Sequence, residues 1–394
     1  MGNAKTGHLR LLATSHALNH VYQLLTPTVA PAIINEYGNL NAGLLLLCFL
    51  LSYSLLPAVS GYIIQRFGRR NVLTAGFLVS SSCFIAIGFI TNLVALGALF
   101  FLAGAAGSTY HPGGFPILAE TYPTRRGRTL GLHQTGGAIG SFVGPFMTGL
   151  LLANFAWRPT MMLMAVPGLI LAVVLWFSIS PEQPRSETAQ QREGKINLGD
   201  LKKYSPAFLF IVAALLYVQG QRGTDAFANV YFTQGLGIGI AEASLLFSTL
   251  KVAGLFSAPI CGRLSDSYGR KKVLITLVIV ESVSLYAITT TPAMLLAVPC
   301  IIFGFAAFGL LTVGEALLAD ITPEKQRAAI FGINLTVNFS PYIYLTPALF
   351  ALAELQQYSL GFIVLSVVMP FSVPFLLKIK TGHAAEKQNH LESE

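Results

Sequence analysis

The chain has 394 residues, of which 54% are hydrophobic and only 11% are charged, and its mean hydropathy is +0.64. Soluble domains carry about 25% charged residues, so this composition excludes an ordinary soluble protein and indicates a protein of the lipid bilayer. The net charge of +8 does not indicate nucleic-acid binding, because the basic residues are concentrated in the loops on one side of the predicted membrane spans.

Apolar runs of membrane-spanning length follow one another along the whole chain. A spanning helix needs about 20 mostly apolar residues. Twelve runs meet this requirement, near residues 9–33, 41–64, 72–91, 94–118, 128–152, 159–180, 206–232, 241–262, 272–291, 293–318, 328–352 and 357–378. The sequence therefore predicts an all-α integral membrane protein with twelve transmembrane helices.

The basic residues lie on one side of the predicted spans. If the N-terminus is cytoplasmic, 22 of the 25 Lys and Arg residues fall in cytoplasmic segments, and the opposite loops hold only Arg158. Basic loops are retained in the cytoplasm during insertion. We therefore expect a multi-pass protein of the bacterial inner membrane with both termini cytoplasmic.

Two pairs of similar segments indicate an internal repeat. Gly61–Arg70 resembles Gly262–Lys271, and Leu118–Arg125 resembles Leu318–Lys325, at offsets of 201 and 200 residues. Each pair occupies the same position among the spans of its half, with the same orientation. This arrangement predicts two parallel-repeat six-helix bundles related by an axis along the membrane normal.

A long polar stretch rich in Pro, Glu and Arg separates the two halves, as expected for a solvated linker. The predicted organisation has four parts. They are an N-terminal six-helix bundle (1–180), a cytoplasmic linker (181–204), a C-terminal six-helix bundle (205–380) and a cytoplasmic tail (381–394).

Polar side chains form a row along the first span. His16, Asn19, His20 and Gln23 are spaced so that they share one helical face. Interhelical hydrogen bonding would explain a single polar residue, but four in a row favour the wall of a cavity. In the fourth span, His111 precedes Pro112, which indicates a helix disturbance beside a titratable group.

Charged residues occur inside the second half of the membrane region. Arg222 and Asp225 are three residues apart and can pair on one face, with Gln219 nearby. The pair is either structural or a switch, in which a substrate anion competes for Arg222 or a proton neutralises Asp225. Lys251 and Glu281 fall in the middle of spans 8 and 9 and are either paired with each other or functional. Span 11 adds Asn334 and Asn338 at a spacing of four.

These residues resemble a known family. The segments at Gly61 and Gly262 are similar to the G-x-L-x-D-R-x-G-R-K loop of the major facilitator superfamily, although Gln65 and Ser267 depart from its pattern. The stretches Tyr110–Gly114 and Gln134–Gly137 are most similar to the fosmidomycin-resistance group of exporters. The resemblance implies that spans 1, 4, 7 and 10 line the transport pathway.

The resemblance also implies that charged residues at the cytoplasmic helix ends act as gates. Simple anchoring of basic loops in the cytoplasm is the structural alternative. In span 5, the segment Gly140–Gly149 resembles the glycine-rich element that the superfamily associates with antiporters, although Thr148 departs from it. The gating residues predicted are Arg66, Arg69, Arg70, Glu120, Asp266, Arg270, Lys271, Glu315 and Asp320.

The sequence contains no nucleotide-binding Gly-x4-Gly-Lys-Ser/Thr loop, so transport must use a gradient. We predict a monomeric secondary transporter rather than an enzyme, which exports a small anionic solute in exchange for protons and needs no cofactor or metal. Proton coupling is predicted at His20, His111 and Asp225. The substrate-binding residues predicted are His16, Asn19, His20, Gln23, His111, Gln219, Arg222, Asp225, Lys251, Asn334 and Asn338.

Two alternatives remain at this point. An importer or facilitator of a small organic anion would use the same residues. A membrane-embedded metal-dependent enzyme would need converging His and acid ligands, and His16 and His20 have no acid nearby in their own span. The scattered Cys48, Cys83, Cys261 and Cys300 indicate neither a disulfide nor a metal site.

Overall fold

A computed structural model describes residues 2–122, 126–181, 201–323 and 326–379, and within these ranges every regular element is a helix. The α-helices are α1 (Gly2–Leu55), α2 (Pro57–Phe67), α3 (Arg69–Ile87), α4 (Leu93–Gly107), α5 (Tyr110–Thr121), α6 (Arg126–Leu152), α7 (Trp157–Ser178), α8 (Leu201–Val230), α9 (Ile240–Val252), α10 (Gly254–Tyr268), α11 (Arg270–Thr290), α12 (Ala297–Ile321), α13 (Arg327–Phe339), α14 (Pro341–Glu354), α15 (Tyr358–Val368) and α16 (Val373–Lys378).

Eleven helical stretches of the described chain are long and apolar enough to cross a membrane. The first of them, His8–Leu55, covers two spans, because α1 loses helical geometry at Gly38 (φ 79°, ψ 167°). The all-α membrane fold with twelve spans is thus confirmed. Spans 1 and 2 are the two parts of α1, with α2 extending span 2. Spans 3 to 12 are α3, α4–α5, α6, α7, α8, α9–α10, α11, α12, α13–α14 and α15–α16, in that order.

Several spans consist of two helices with a short break between them. Pro57 and Pro341 each open the second helix of their span, in the first turn where the missing N–H has no intrahelical partner. In span 4 the break falls at Ser108 and Thr109, directly before Tyr110 and His111. This break is the disturbance predicted beside His111, although it precedes the proline.

The two repeated loops have matching backbone geometry. Gly68 joins α2 to α3 with φ 79°, and Gly269 joins α10 to α11 with φ 89°. Only glycine adopts such positive φ angles without strain, which explains its presence at both positions. We call the end of the molecule that carries these loops the basic side and the other end the opposite side.

The two bundles meet in the half of the molecule away from the basic side. Gly43 of span 2 packs against Phe350 of span 11, and Gly149 of span 5 packs against Ser244 of span 8. One hydrophobic core runs through both bundles there.

On the basic side the C-terminal bundle has its own core, formed around residues such as Phe210, Leu274 and Leu317. The bundles are therefore packed together on the opposite side and have separate cores towards the basic side.

The predicted domain boundaries differ slightly from the helix bounds. Helix α8 begins at Leu201, four residues before the predicted start of the C-terminal bundle, so the last part of the predicted linker is helical. Residues 182–200 of the linker and the whole predicted tail (381–394) lie outside the described residues, so both stay predictions.

Candidate functional site

Four histidines from three spans of the N-terminal bundle lie together, and we call them the histidine cluster: His16, His20, His111 and His133. His16 Nδ1 donates to the carbonyl oxygen of His133 over 2.9 Å. Its other ring nitrogen, Nε2, lies 3.1 Å from Nε2 of His20. The rings of His16 and His133 stack with centroids 4.2 Å apart. The helical row predicted in span 1 therefore has partners from spans 4 and 5.

Two tyrosines hold the histidine cluster in place. The Tyr110 hydroxyl donates to the carbonyl oxygen of Leu12 and accepts from His133 Nε2 at 2.9 Å. The Tyr53 hydroxyl accepts from Asn19 Nδ2 at 2.8 Å and lies 3.5 Å from His111 Nε2. Both tyrosines are buried, so the aromatic rings fix the cluster through packing as well as hydrogen bonds.

Span 5 approaches span 1 closely enough to shape the cluster. A Cβ on Gly137 would collide with the His16 imidazole ring, and one on Gly140 would collide with the Ala17 backbone. Small residues permit such close approach between membrane helices. The glycine-rich element of span 5 therefore supports the histidine cluster directly.

The C-terminal bundle contains a buried ion-pair network of Arg222, Asp225 and Lys251, which we call the charged triad. Lys251 Nζ forms an ion pair with Asp225 Oδ1, and Arg222 Nη1 lies 3.4 Å from Asp225 Oδ2. All three side chains are at most 7% exposed. Two cations thus share one carboxylate in a site from which water is largely excluded.

Span 11 completes the surroundings of the triad. The Tyr342 hydroxyl donates to Asp225 Oδ2 at 2.8 Å, and Arg222 Nε donates to the carbonyl oxygen of Asn338 at 2.9 Å. The Arg222 guanidinium also lies 4.4 Å from the centroid of the Phe339 ring, a cation–π distance. These contacts orient both charges of the network.

Two buried amides beside the triad have unused acceptors. The side-chain oxygens of Asn334 and Asn338 lack a hydrogen-bond partner within the described chain, although both residues are buried. Buried acceptors are almost always satisfied in proteins, so these oxygens are suited to a donor that the protein does not supply.

The histidine cluster and the charged triad face each other across the interface between the bundles. His16 and His20 belong to span 1, and Arg222 and Asp225 belong to span 7, the equivalent span of the other bundle. Closer to the opposite side, Asn229 Nδ2 of span 7 donates to the Thr28 carbonyl oxygen of span 1 at 2.6 Å. Both groups of predicted residues therefore border one interface in the interior of the protein.

The remaining predicted site residues lie near these two groups. Gln23 is buried and interacts with His20, whereas Gln219 is partly exposed one turn before Arg222. Glu281 does not pair with Lys251, which binds Asp225 instead. Both Glu281 carboxyl oxygens are buried and have no hydrogen-bond partner within the described chain.

The predicted gating residues of the C-terminal bundle lie together at the basic side. Arg270 forms ion pairs with Asp320 at the end of α12 and, at 3.5 Å, with Asp266. Lys271 Nζ donates to the carbonyl oxygens of Leu377 and Ile379 at the end of span 12. These contacts connect the 8–9 loop to the ends of spans 10 and 12.

The gating residues of the N-terminal bundle are less fully described. Arg69 is buried, and the Arg70 guanidinium lies 4.2 Å from the centroid of the Trp176 ring. Arg66 is exposed at the end of α2. In the C-terminal bundle, Glu315 is exposed on α12, apart from the ion pairs of Arg270. The side chain of Glu120 lies outside the described part of the chain.

Sequence reasoning missed four contributors to the two clusters: His133, Tyr53, Tyr110 and Tyr342. Tyr110 belongs to a stretch that indicated only a resemblance to the fosmidomycin-resistance group, and not a site residue. Tyr342 continues the spacing of four from Asn334 and Asn338, but only the two asparagines were predicted to bind substrate. Tyr53 is isolated in an apolar run, so its contact with His111 depends on tertiary structure.

Two six-helix bundles with polar clusters at their interface define a membrane transport protein. Residues 13–239 and 219–393 match the Major Facilitator Superfamily. The chain belongs to this superfamily, and it is a transporter rather than an enzyme, which removes the membrane-embedded enzyme as an alternative.

Curated relatives and solved structures agree with this assignment. The chain is 26% identical over 282 residues to the fosmidomycin resistance protein of Escherichia coli strain K12, covering 68% of this chain and 67% of the relative. It is 24% identical over 327 residues to the multidrug resistance protein MdtG of Yersinia enterocolitica, covering 79% and 78%. A bacterial homologue of the human lysosomal transporter Spinster has the same fold, with a TM-score of 0.73, 16% identity and 95% coverage of both chains.

Proposed function

We propose that this protein exports a small anionic solute across the inner membrane in exchange for protons, by alternating access between its two bundles. The observation that carries the proposal is the charged triad, in which two buried cations share one carboxylate beside the bundle interface. Such an excess of positive charge is costly in a low-dielectric interior and favours an anion as a further partner.

The residues around the triad suggest the chemistry of the solute. Arg222 has a planar guanidinium with several donors, a geometry suited to carboxylate or phosphate groups. The unused side-chain oxygens of Asn334 and Asn338 can accept hydrogen bonds from hydroxyl or amine groups. We therefore expect a solute that carries an anionic group together with hydrogen-bond donors.

Two observations support the proposed direction of transport and the proposed coupling to protons. Relatives of this chain include a fosmidomycin resistance protein and multidrug resistance proteins, whose names indicate efflux. Among titratable groups near the interface, His20 and His111 are only partly buried and Asp225 belongs to the triad. Glu281 joins this set, since its buried carboxyl group has no hydrogen-bond partner within the described chain.

The orientation follows from the charge of the loops. Basic loops are retained in the cytoplasm. We therefore propose that the basic side faces the cytoplasm, with both termini inside. The bundles are packed together on the opposite side, so this conformation is open towards the cytoplasm, the side from which an exporter loads its solute.

The spacing of small residues along the interface helices supports a second conformation, in which the two bundles meet on the basic side. Gly149, which touches Ser244 of span 8, lies 18 residues after Gly131 on the unbroken helix α6. Eighteen residues are five helical turns, so both glycines share one face about 27 Å apart. A Cβ on Gly131 would meet no heavy atom of the described chain within 4 Å.

The other three interface spans repeat this pattern. The same 18-residue spacing separates a contact residue from an open glycine in spans 2, 8 and 11. The pairs are Gly43 and Gly61, Ser244 and Gly262, and Phe350 and Gly332. Each open glycine of the N-terminal bundle has its counterpart 201 residues later in the C-terminal bundle, as the repeat requires. When the bundles rock, spans 2 and 11 should meet at Gly61 and Gly332, and spans 5 and 8 at Gly131 and Gly262.

Removing either cation of the triad should weaken solute binding strongly. A hydrogen bond to a charged group contributes about 1.5–3 kcal/mol, so Arg222→Ala and Lys251→Ala should each weaken binding by about 10- to 100-fold. A thermal-shift screen of small anions and drugs at two pH values identifies the ligand. Uptake into inside-out vesicles with an imposed pH gradient then measures transport of that ligand and its coupling to protons.

The control for this experiment is Arg158→Ala, because Arg158 forms a partly exposed ion pair with Glu36 at the opposite side. Transport by the Arg222 and Lys251 variants at the parental level would contradict the anionic solute. Counterflow that is independent of the pH gradient would instead favour a facilitator.

The gate can be tested with two basic residues of one loop. Arg270→Ala removes the ion pair with Asp320, whereas Lys272→Ala removes an exposed charge from the same loop. The Arg270 pair is partly exposed and should contribute less than about 1 kcal/mol to stability. We expect normal insertion and melting for both variants, and reduced transport only for Arg270→Ala. If both variants transport equally well, Arg270 does not act as a gate and only anchors its loop in the cytoplasm.

A further inference from the structure

We propose that His16, His20 and His111 form a binding site for one divalent transition-metal ion in the core of the N-terminal bundle. One ring nitrogen from each of the three residues can be chosen so that all lie within 4.8 Å of one another. The two nitrogens of His16 and His20 are 3.1 Å apart. Zinc binds imidazole nitrogens at 2.0–2.1 Å, which places two tetrahedral ligands about 3.3 Å from each other.

The hydrogen bond of His16 prepares it as a ligand. Because its Nδ1 donates to the carbonyl oxygen of His133 at 2.9 Å, the neutral ring has an unprotonated Nε2 that points to His20. Metal-binding histidines typically donate their second ring nitrogen to a carbonyl or carboxylate, which fixes the tautomer and the ring orientation. His133 therefore acts as a positioning residue through its backbone.

The site is also held rigidly. His16 and His20 are four residues apart on one helix, a spacing that lets two imidazoles bind the same ion. The His16 ring is stacked on His133 and lies against Gly137, where a side chain would displace it. His111 is the second residue of α5, and its ring is 5.2 Å from that of His16.

The donor set selects the kind of ion. Imidazole ligands suit zinc, copper, nickel and cobalt, whereas magnesium and calcium prefer oxygen ligands. Three protein ligands leave a fourth position open, and His20 and His111 are partly exposed, so an ion can reach the site.

The polar groups around the ligands are neutral. Asn19 and Gln23 of span 1, Tyr53 of span 2, Tyr110 of span 4 and His133 of span 5 surround them. Since none of these groups carries a negative charge, the fourth position favours an anion such as hydroxide or chloride. The sequence-based expectation of no metal rested on the absence of an acid in span 1, and the third ligand instead comes from span 4.

The experiment measures Zn²⁺ and Co²⁺ binding to the full chain, purified in detergent without a polyhistidine tag and freed of metal. Titration with Zn²⁺ in a calorimeter should show one equivalent bound. Co²⁺ should give the intense visible absorption of a tetrahedral nitrogen-rich site. In His20→Ala and His111→Ala the affinity for Zn²⁺ should be at least tenfold lower, and the intense Co²⁺ absorption should be lost.

Two further variants separate metal ligation from folding. His8→Ala removes a histidine outside the cluster and should bind one Zn²⁺ like the parent. Gly137→Val keeps all three ligands but displaces the His16 ring, so it should weaken Zn²⁺ binding while Co²⁺ absorption shifts. Thermal melting without metal identifies any variant that is misfolded. Zn²⁺ binding by the parent equal to that of a His16→Ala, His20→Ala, His111→Ala triple variant would overturn the proposal.

Discussion

Cysteines at Gly61 and Gly332 should form a disulfide that arrests transport, and cysteines at Gly131 and Gly262 should do the same. In the conformation described here each of these glycines faces open space on the basic side. The residues 18 positions away in the same spans already touch across the interface on the opposite side. When the bundles rock, the contacts on the opposite side must separate while the glycines on the basic side come together, because the pathway cannot be open to both sides at once.

The disulfide experiment uses a background in which Cys48, Cys83, Cys261 and Cys300 are serine. A disulfide requires Cβ atoms about 3.5–4.5 Å apart, so its formation reports the closed basic side directly. Transport should fall to background on oxidation and return on reduction. The expected loss is nearly complete, because a locked bundle pair cannot alternate.

A mispaired combination provides the control for cross-linking. Gly61→Cys with Gly262→Cys uses the same residue type in equally open positions, but on spans 2 and 8, which the proposed movement does not bring together. This pair should remain reduced and active. Cross-linking of the control as efficiently as the two test pairs would show that random collisions cause it, and the proposed movement would then be wrong.

The fold could be predicted largely from the sequence, because membrane spans depend on local composition. Apolar runs located all twelve spans, and the repeated loops fixed the equivalence of Gly68 and Gly269 before their φ angles were known. The breaks within spans were less accessible. Pro112 predicted a disturbance in span 4, but the break lies a few residues earlier, at Ser108 and Thr109, because neighbouring helices can stabilise an interruption away from the proline.

The candidate site was only partly predictable, because pairing between spans depends on helix rotation. Periodicity placed His16 and His20 on one face correctly, but it could not show that His133 of span 5 would stack on His16. The sequence offered Glu281 as a partner for Lys251, because both lie in the middle of their spans. The structure pairs Lys251 with Asp225, because spans 7 and 8 present those side chains to each other, while Glu281 lies against Gly220.

Replacing Asp225 should destabilise the protein more than any other single change in the C-terminal bundle. Asp225→Ala leaves Arg222 and Lys251 buried without their carboxylate, and an uncompensated buried charge costs about 3–5 kcal/mol. The melting temperature should fall by roughly 10 °C. A thiol-reactive dye can follow melting, because Cys83, Cys261 and Cys300 are buried in the folded protein.

The double variant Asp225→Ala with Lys251→Met decides whether charge is the cause. Methionine fills much of the space of the lysine stem and removes one of the two stranded cations, and replacing a buried ion pair by apolar groups is often nearly neutral. The double variant should therefore melt at a higher temperature than Asp225→Ala alone, a non-additive result that lost packing cannot produce. Asp266→Ala is the matched control, since that carboxylate is 68% exposed and its loss should change stability by less than about 1 kcal/mol. If Asp225→Ala melts like the parent, the triad does not hold a buried charge, and the argument for an anionic solute loses its physical basis.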